Sequence, residues 1–183
     1  MYRDIKKNPE KMKSIYLILF LLLALYLSMA EIFIPKPFPW LKLGLANIVT
    51  ILVLEKFDLK TAIELTLLRI FIQNITFGTI FTPTFVISIT AGSMSVIAMG
   101  CLFKFRDRLS LVAISIVSAL VHNLVQLIVV YFLLFRNISI YSKYTFIFIL
   151  VFTGIGIFSG LITGVICEKI NIRKINKNNM SIT

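Results

Sequence analysis

The chain is poor in charged residues and poorest in acidic ones. Only 15% of its 183 residues are charged, and Asp and Glu together number 8. In a soluble globular chain about a quarter of the residues are charged and about half are apolar. Here 58% of the residues are hydrophobic. The composition therefore predicts an integral membrane protein and excludes an ordinary soluble domain.

Cysteine and histidine are nearly absent. Cys101 and Cys167 lie far apart with no Cys-x-x-Cys pair, and His122 is the only histidine. This pattern excludes a disulfide framework, and a zinc site would need further His, Cys or carboxylate ligands. We expect neither a metal nor a redox cofactor.

Basic residues outnumber acidic ones by 19 to 8, but they do not form one patch. They lie at the chain ends and between apolar stretches, so nucleic acid is not the expected partner. If the N-terminus is cytoplasmic, 14 of them fall in inner segments, 4 in outer segments, and Arg69 within a span. Because loops on the cytoplasmic side are enriched in Lys and Arg, we expect a multi-pass protein of the cell membrane with both termini inside.

Six apolar stretches have about the 20-residue length of a membrane-spanning helix. They cover residues 14–34, 38–54, 59–80, 83–103, 109–135 and 144–167. We therefore predict an all-α integral membrane protein in which a six-helix domain (14–167) is flanked by a basic N-terminal segment (1–13) and a basic tail (168–183). The first stretch is too long for the apolar core of a signal peptide, so we expect it to be retained.

The third predicted span contains polar side chains that are costly in lipid. Arg69 and Gln73 share one helix face, and Asn74 lies beside Gln73. An intramembrane arginine needs a partner, which is either a carboxylate of the protein or an anionic ligand. Ligand binding and a structural pair between helices both remain open.

The fifth span carries His122, Asn123 and Gln126, which form either a ligand site or polar contacts between helices. Near the predicted outer surface, Glu31 has Lys42 and Arg69 as alternative partners. The candidate ligand-binding residues are Glu31, Lys42, Asn47, Arg69, Gln73, Asn74, His122, Asn123 and Gln126.

Small residues at four-residue spacing mark two helix faces. Gly156, Gly160 and Gly164 repeat in the sixth span, and Ala24 and Ser28 form a shorter pair in the first. Such spacing lets helices approach closely, either within the bundle or against a partner chain.

Two motifs resemble a known membrane family. Lys-Leu-Gly-Leu-Ala-Asn at 42–47, after a proline-rich turn, and His122-Asn-x-x-Gln126 are similar to heptaprenyl diphosphate synthase component I, also called the Gx transporter family. That family resembles the substrate-binding S components of energy-coupling factor transporters. The resemblance implies six helices, a pocket opening outward, and a first helix whose small residues contact a transmembrane coupling subunit that works with ATPases. Ala24 and Ser28 match that small-residue pattern in part.

The family's name is that of an enzyme, but this sequence lacks the residues that the reaction needs. Prenyl-chain elongation uses aspartate-rich motifs that hold magnesium on two diphosphates. The three aspartates, Asp4, Asp58 and Asp107, are isolated from one another. We therefore expect a subunit that is not an enzyme.

Three functions follow from these observations. The first is a substrate-binding membrane subunit for transport of a small anionic or amphiphilic compound. The alternative is a non-catalytic membrane subunit in heptaprenyl diphosphate or isoprenoid-quinone synthesis that holds a prenyltransferase at the bilayer. The third is a membrane scaffold of a flavin or electron-transfer assembly.

Overall fold

A computed structural model describes the chain over residues 9–33, 44–134 and 143–180. Across these ranges the secondary structure is helical, without strands. The helices within the described ranges are α1 (Pro9–Ile32), α2 (Asn47–Lys56), α3 (Leu59–Thr76), α4 (Pro83–Phe103), α5 (Leu111–Leu134) and α6 (Lys143–Met180).

Four of the described helices, α1, α4, α5 and α6, are long and apolar enough to cross a bilayer. Their outward side chains are large and apolar; Leu22 on α1 is 58% exposed and Phe158 on α6 is 66% exposed. The chain is thus a helical membrane protein. The sequence predicts six spans, and length with apolar composition supports four of them among the described helices. Of the other two helices, α2 has only 10 residues and α3 carries polar side chains.

The helix bounds agree best with the predicted spans where local signals are strong. Thr82 occupies the N-cap of α4 and Pro83 its first turn, as their order in the sequence predicts. α3 ends at Thr76, before the predicted residue 80, because Gly78 adopts a φ of 65°, which ends a helix.

Two helices differ from the predicted spans. The described part of the second span, α2, begins at Asn47 and continues to Lys56, whereas the prediction was 38–54; residues 38–43 lie outside the described ranges. α6 does not end at Cys167 but continues to Met180, so most of the predicted tail is part of this helix.

α2 lies at the centre of the bundle, packed against α1, α3, α4 and α6, while α3, α4, α5 and α6 pack in chain order. Most of α2 is buried, including Ile51 and Val53. Its apolar side chains join a core cluster that contains Leu65 of α3, Met99 of α4 and Ile114 of α5.

Contacts between helices fix which chain segments lie at the same end. The Nζ atom of Lys56, at the end of α2, lies over the ring of Tyr16 near the start of α1. The Nδ2 atom of Asn171 on α6 donates to Glu55 Oε1 at 2.9 Å. The start of α1, the end of α2 and the later part of α6 therefore share one end, which we call the basic end.

Candidate functional site

Buried serines and threonines occur in both halves of the bundle, but the buried charged, amide and imidazole side chains of the described residues, together with Ser28, lie in the half away from the basic end. They come from the later parts of α1, α3 and α5, and each is at most 9% exposed. The set comprises Ser28, Glu31, Arg69, Gln73, Asn74, His122, Asn123 and Gln126.

Arg69 is tied to α1. Its Nη1 atom donates to Ser28 Oγ at 3.0 Å, and the carboxylate of Glu31 attracts the guanidinium electrostatically. The Nε atom of Arg69 is buried and has no hydrogen-bond partner among the described residues. The sequence left open a structural and a ligand-binding role for this arginine. The structure supplies the structural partners and leaves one donor available.

Glu31 joins the end of α1 to the turn before α2. Its two carboxylate oxygens accept from the backbone N–H groups of Gly44 and Leu45, each at 3.3 Å. Gly44 has a φ of 79°, in the left-handed region that favours glycine. Asn47, predicted as a ligand residue, lies half-buried against Gly44 at the start of α2. Lys42 lies outside the described residues, so its predicted pairing with Glu31 stays a prediction.

The inward face of α3 carries further unsatisfied polar atoms. Gln73 Oε1, one turn after Arg69, and Thr66 Oγ1, one turn before it, are buried without hydrogen-bond partners in the described part of the chain. Buried polar atoms nearly always have partners, so these atoms indicate water or a ligand. Sequence reasoning missed Thr66, although its spacing from Arg69 and Gln73 places it on the same helix face.

Asn74 has a local role at the end of α3. Its Nδ2 atom donates to the carbonyl of Ile70 at 2.8 Å, and its Oδ1 atom accepts from the Thr79 hydroxyl at 2.7 Å. These bonds hold the turn that follows the helix. They leave little of the amide for the ligand contact predicted from the sequence.

Asn123 joins α5 to α6. Its Nδ2 atom donates to the carbonyl of Phe152 at 3.0 Å, and a Cβ atom added at Gly156 would lie 2.6 Å from that Nδ2. His122 and Gln126 are also buried on α5. α4 packs against both α3 and α5. Within the described residues, α3 and α5 do not pack extensively against each other. The structure therefore groups Arg69, Gln73 and Glu31, while the α5 residues lie beyond α4.

The small-residue faces point inward. Gly160 and Gly164 lie against the backbone of α5, near Ser115 and Val112. Ala24 is fully buried and Ser28 is bonded to Arg69, so this chain itself covers much of the face considered for a coupling subunit.

A model of the family described as heptaprenyl diphosphate synthase component I matches residues 20–170. The chain belongs to this family. No curated protein and no solved structure matches the chain. The resemblance drawn from the motifs at 42–47 and 122–126 is confirmed at the level of the family, and both motifs lie within the matched region.

In this member of the heptaprenyl diphosphate synthase component I family, the described aspartates lie at the basic end. Asp58 caps the start of α3, where its Oδ1 atom accepts from the Thr61 backbone N–H at 2.8 Å. That hydrogen bonding with Thr61 lowers the pKa of the exposed Asp58 carboxyl. Asp107 lies beside an open cleft of about 390 Å³, lined also by Glu55, Phe103, Arg106 and Asn171.

Proposed function

We propose that the protein is a non-catalytic, substrate-binding membrane subunit for transport of a small anionic or amphiphilic compound. The observation that supports this function is the pair of buried, unsatisfied atoms Arg69 Nε and Gln73 Oε1 on one face of α3. An unpaired buried polar group costs about 1–3 kcal/mol, which a ligand that supplies the missing hydrogen bonds would offset. Binding sites commonly combine an apolar lining with a few such convergent groups.

The two atoms suggest what the ligand carries. Arg69 Nε would donate to an acidic or carbonyl oxygen, and Gln73 Oε1 would accept from a hydroxyl or amine. Glu31 already offsets part of the charge of Arg69, which favours a ligand of low charge over a multiply charged anion. Lys42 and Asn47 would complete the site from the 42–47 run, whereas His122 and Gln126 on α5 lie beyond α4 and are not part of it.

The finer topology belongs to the same proposal. α3 would cross the bilayer with its polar face turned inward, and the chain preceding and including α2 would supply the remaining span. The basic end would face the cytoplasm, because Lys56, Lys60 and Lys104 lie there, and the site would open outward. Active transport would need a separate coupling subunit with ATPases.

Gln73→Leu gives the sharpest test, because leucine has a similar volume and removes the unsatisfied oxygen. We expect this variant to be at least as stable as the wild type in detergent and to retain less of any co-purified small molecule, measured by native mass spectrometry. Arg69→Ala should also lose the molecule, but it leaves the buried Glu31 without its cation and should unfold more easily.

Asn123→Ala is the matched control, since it breaks a hydrogen bond between α5 and α6. That bond lies outside the proposed site around Arg69 and Gln73, which we call the α3 site. It should lower stability and leave ligand retention per folded molecule unchanged. Wild-type retention by both Gln73→Leu and Arg69→Ala would remove the proposed site.

The family description favours a second function, a membrane subunit associated with heptaprenyl diphosphate and isoprenoid-quinone synthesis. The protein would then hold a soluble prenyltransferase at the bilayer through its basic end. Co-purification of a prenyltransferase whose activity rises on adding this chain would support it. Unchanged activity at saturating concentrations of the chain would contradict it.

A further inference from the structure

Two lysines and two aromatic rings meet at the basic end. The Nζ atom of Lys13, on α1, lies 5.7 Å from the ring centroid of Phe57. The Nζ atom of Lys56 lies 5.9 Å from the same centroid and 2.9 Å from that of Tyr16. We call Lys13, Tyr16, Lys56 and Phe57 the lysine–aromatic cluster. It joins the start of α1 to the connection between α2 and α3.

The cluster holds two ammonium groups around the ring of Phe57. Asp58 attracts Lys13, but its carboxylate also accepts the Thr61 backbone N–H as the cap of α3. Both lysines are exposed, so their ammonium groups remain accessible. Two cations held around one ring repel each other, and an anion bound between them would relieve that repulsion.

The position of the cluster places it at a membrane surface. Lys13 and Tyr16 lie in the first turns of the apolar span Glu10–Glu31. On the same helix Ile15, Ile18 and Leu19 are exposed, at 38%, 57% and 57%. Lysine and tyrosine are typical of the headgroup level, while such apolar side chains face the hydrocarbon. A ligand here would have its anionic head at the lysines and its chain along α1.

We infer that the lysine–aromatic cluster binds the phosphate or diphosphate head of an amphiphile whose hydrocarbon chain lies in the bilayer. Ammonium groups bind phosphate oxygens as point charges, and the Tyr16 hydroxyl can donate a further hydrogen bond. The site is separate from the α3 site around Arg69 and does not depend on the function proposed for it.

Native mass spectrometry tests this inference on the full chain, with phosphatidylglycerol as the probe and phosphatidylcholine as the comparison lipid. A lysine near an anionic surface contributes about 1 kcal/mol, so Lys13→Gln and Lys56→Gln should each weaken phosphatidylglycerol retention roughly fivefold. Together they should weaken it roughly 25-fold. Arginine at both positions should restore binding, because it keeps the charge.

Lys104→Gln is the matched control, an exposed lysine at the same end with no aromatic contact among those described. It should leave retention within about twofold of the wild type. Farnesyl diphosphate, added as a competitor, distinguishes a site for the head of a prenyl diphosphate from a site for the head of a phospholipid. Displacement of phosphatidylglycerol identifies a prenyl diphosphate site, and failure to displace it identifies a phospholipid site.

Three outcomes would overturn the inference. The first is that the wild type and the double glutamine variant retain phosphatidylglycerol equally. The second is that Lys104→Gln loses as much phosphatidylglycerol as Lys13→Gln or Lys56→Gln. The third is that the wild type shows no preference for phosphatidylglycerol over phosphatidylcholine. If the double variant does not fold, the single variants and the arginine replacements decide the question by the same measurements.

Discussion

Gly160→Ala would place a methyl group against the backbone of α5. The added Cβ would lie 2.7 Å from Ile116 Cα, 2.9 Å from the carbonyl oxygen of Ser115 and 3.0 Å from Ala119 Cβ. Cβ atoms essentially never approach heavy atoms closer than 3.0 Å. Because two of these neighbours are backbone atoms, no side-chain rotation relieves the clash, and α5 and α6 must separate.

Two effects of opposite sign determine how much Gly160→Ala changes the free energy of unfolding. Overpacking a close contact costs about 1–3 kcal/mol. Alanine in place of glycine in a helix interior stabilises by about 1 kcal/mol. Since backbone contacts place the clash in the upper part of its range, Gly160→Ala should lower the free energy of unfolding by about 1–2 kcal/mol.

Gly154→Ala, in the same helix, separates the two effects. A Cβ atom at Gly154 meets nothing within 4 Å, so only the gain in helix propensity applies. The two variants should therefore differ by about 2–3 kcal/mol in the free energy of unfolding. Reversible unfolding in mixed micelles, followed by circular dichroism, measures this difference. If Gly160→Ala is as stable as Gly154→Ala, the close packing of α6 on α5 is wrong.

Three further predictions concern hydrogen bonds and backbone conformation. Asn123→Ala should cost about 1 kcal/mol in the same unfolding assay, because it removes the bond to the Phe152 carbonyl, and an unchanged free energy would contradict that bond. Gly44→Ala should cost about 1–2 kcal/mol, since its positive φ strains any residue with a Cβ; a stabilised variant would show that the turn has another conformation. The lowered pKa of Asp58 means that its contribution to stability is present above the pKa of the unfolded chain and is lost as the pH falls through the lower, folded value. Stability should thus decline below about pH 4, and Asp58→Asn, which can still cap α3, should flatten that decline. An identical pH profile in the variant would argue against the contact with Thr61.

Features that depend on a few neighbouring residues could be predicted from the sequence. Thr82 and Pro83 fix the start of α4 through conformational limits on those two positions. Gly160 and Gly164 share a helix face by their spacing, although spacing alone could not say that α5 packs on them. Family membership was also predictable, because it rests on contiguous motifs.

Features that depend on distant contacts could not be predicted. The partners of Arg69 lie about forty residues earlier in the chain, and no local pattern selects Ser28 over another hydroxyl. Asn74 and Asn123 look like ligand residues in the sequence because a buried amide has the same appearance whether it binds a ligand or a carbonyl. Only their neighbours distinguish these roles.

The short length of α2 accounts for the position of the buried charged and amide side chains in one half of the bundle. A helix of 10 residues rises about 15 Å, which is about half the thickness of the hydrocarbon core. α2 ends at the basic end, so its buried side chains fill the interior there, against Leu65, Met99 and Ile114. Beyond its first residue the surrounding helices turn Arg69 and other polar groups inward instead. We therefore place the proposed small-molecule site beside Arg69 and Gln73 on α3, in the half of the bundle that the described part of α2 does not reach.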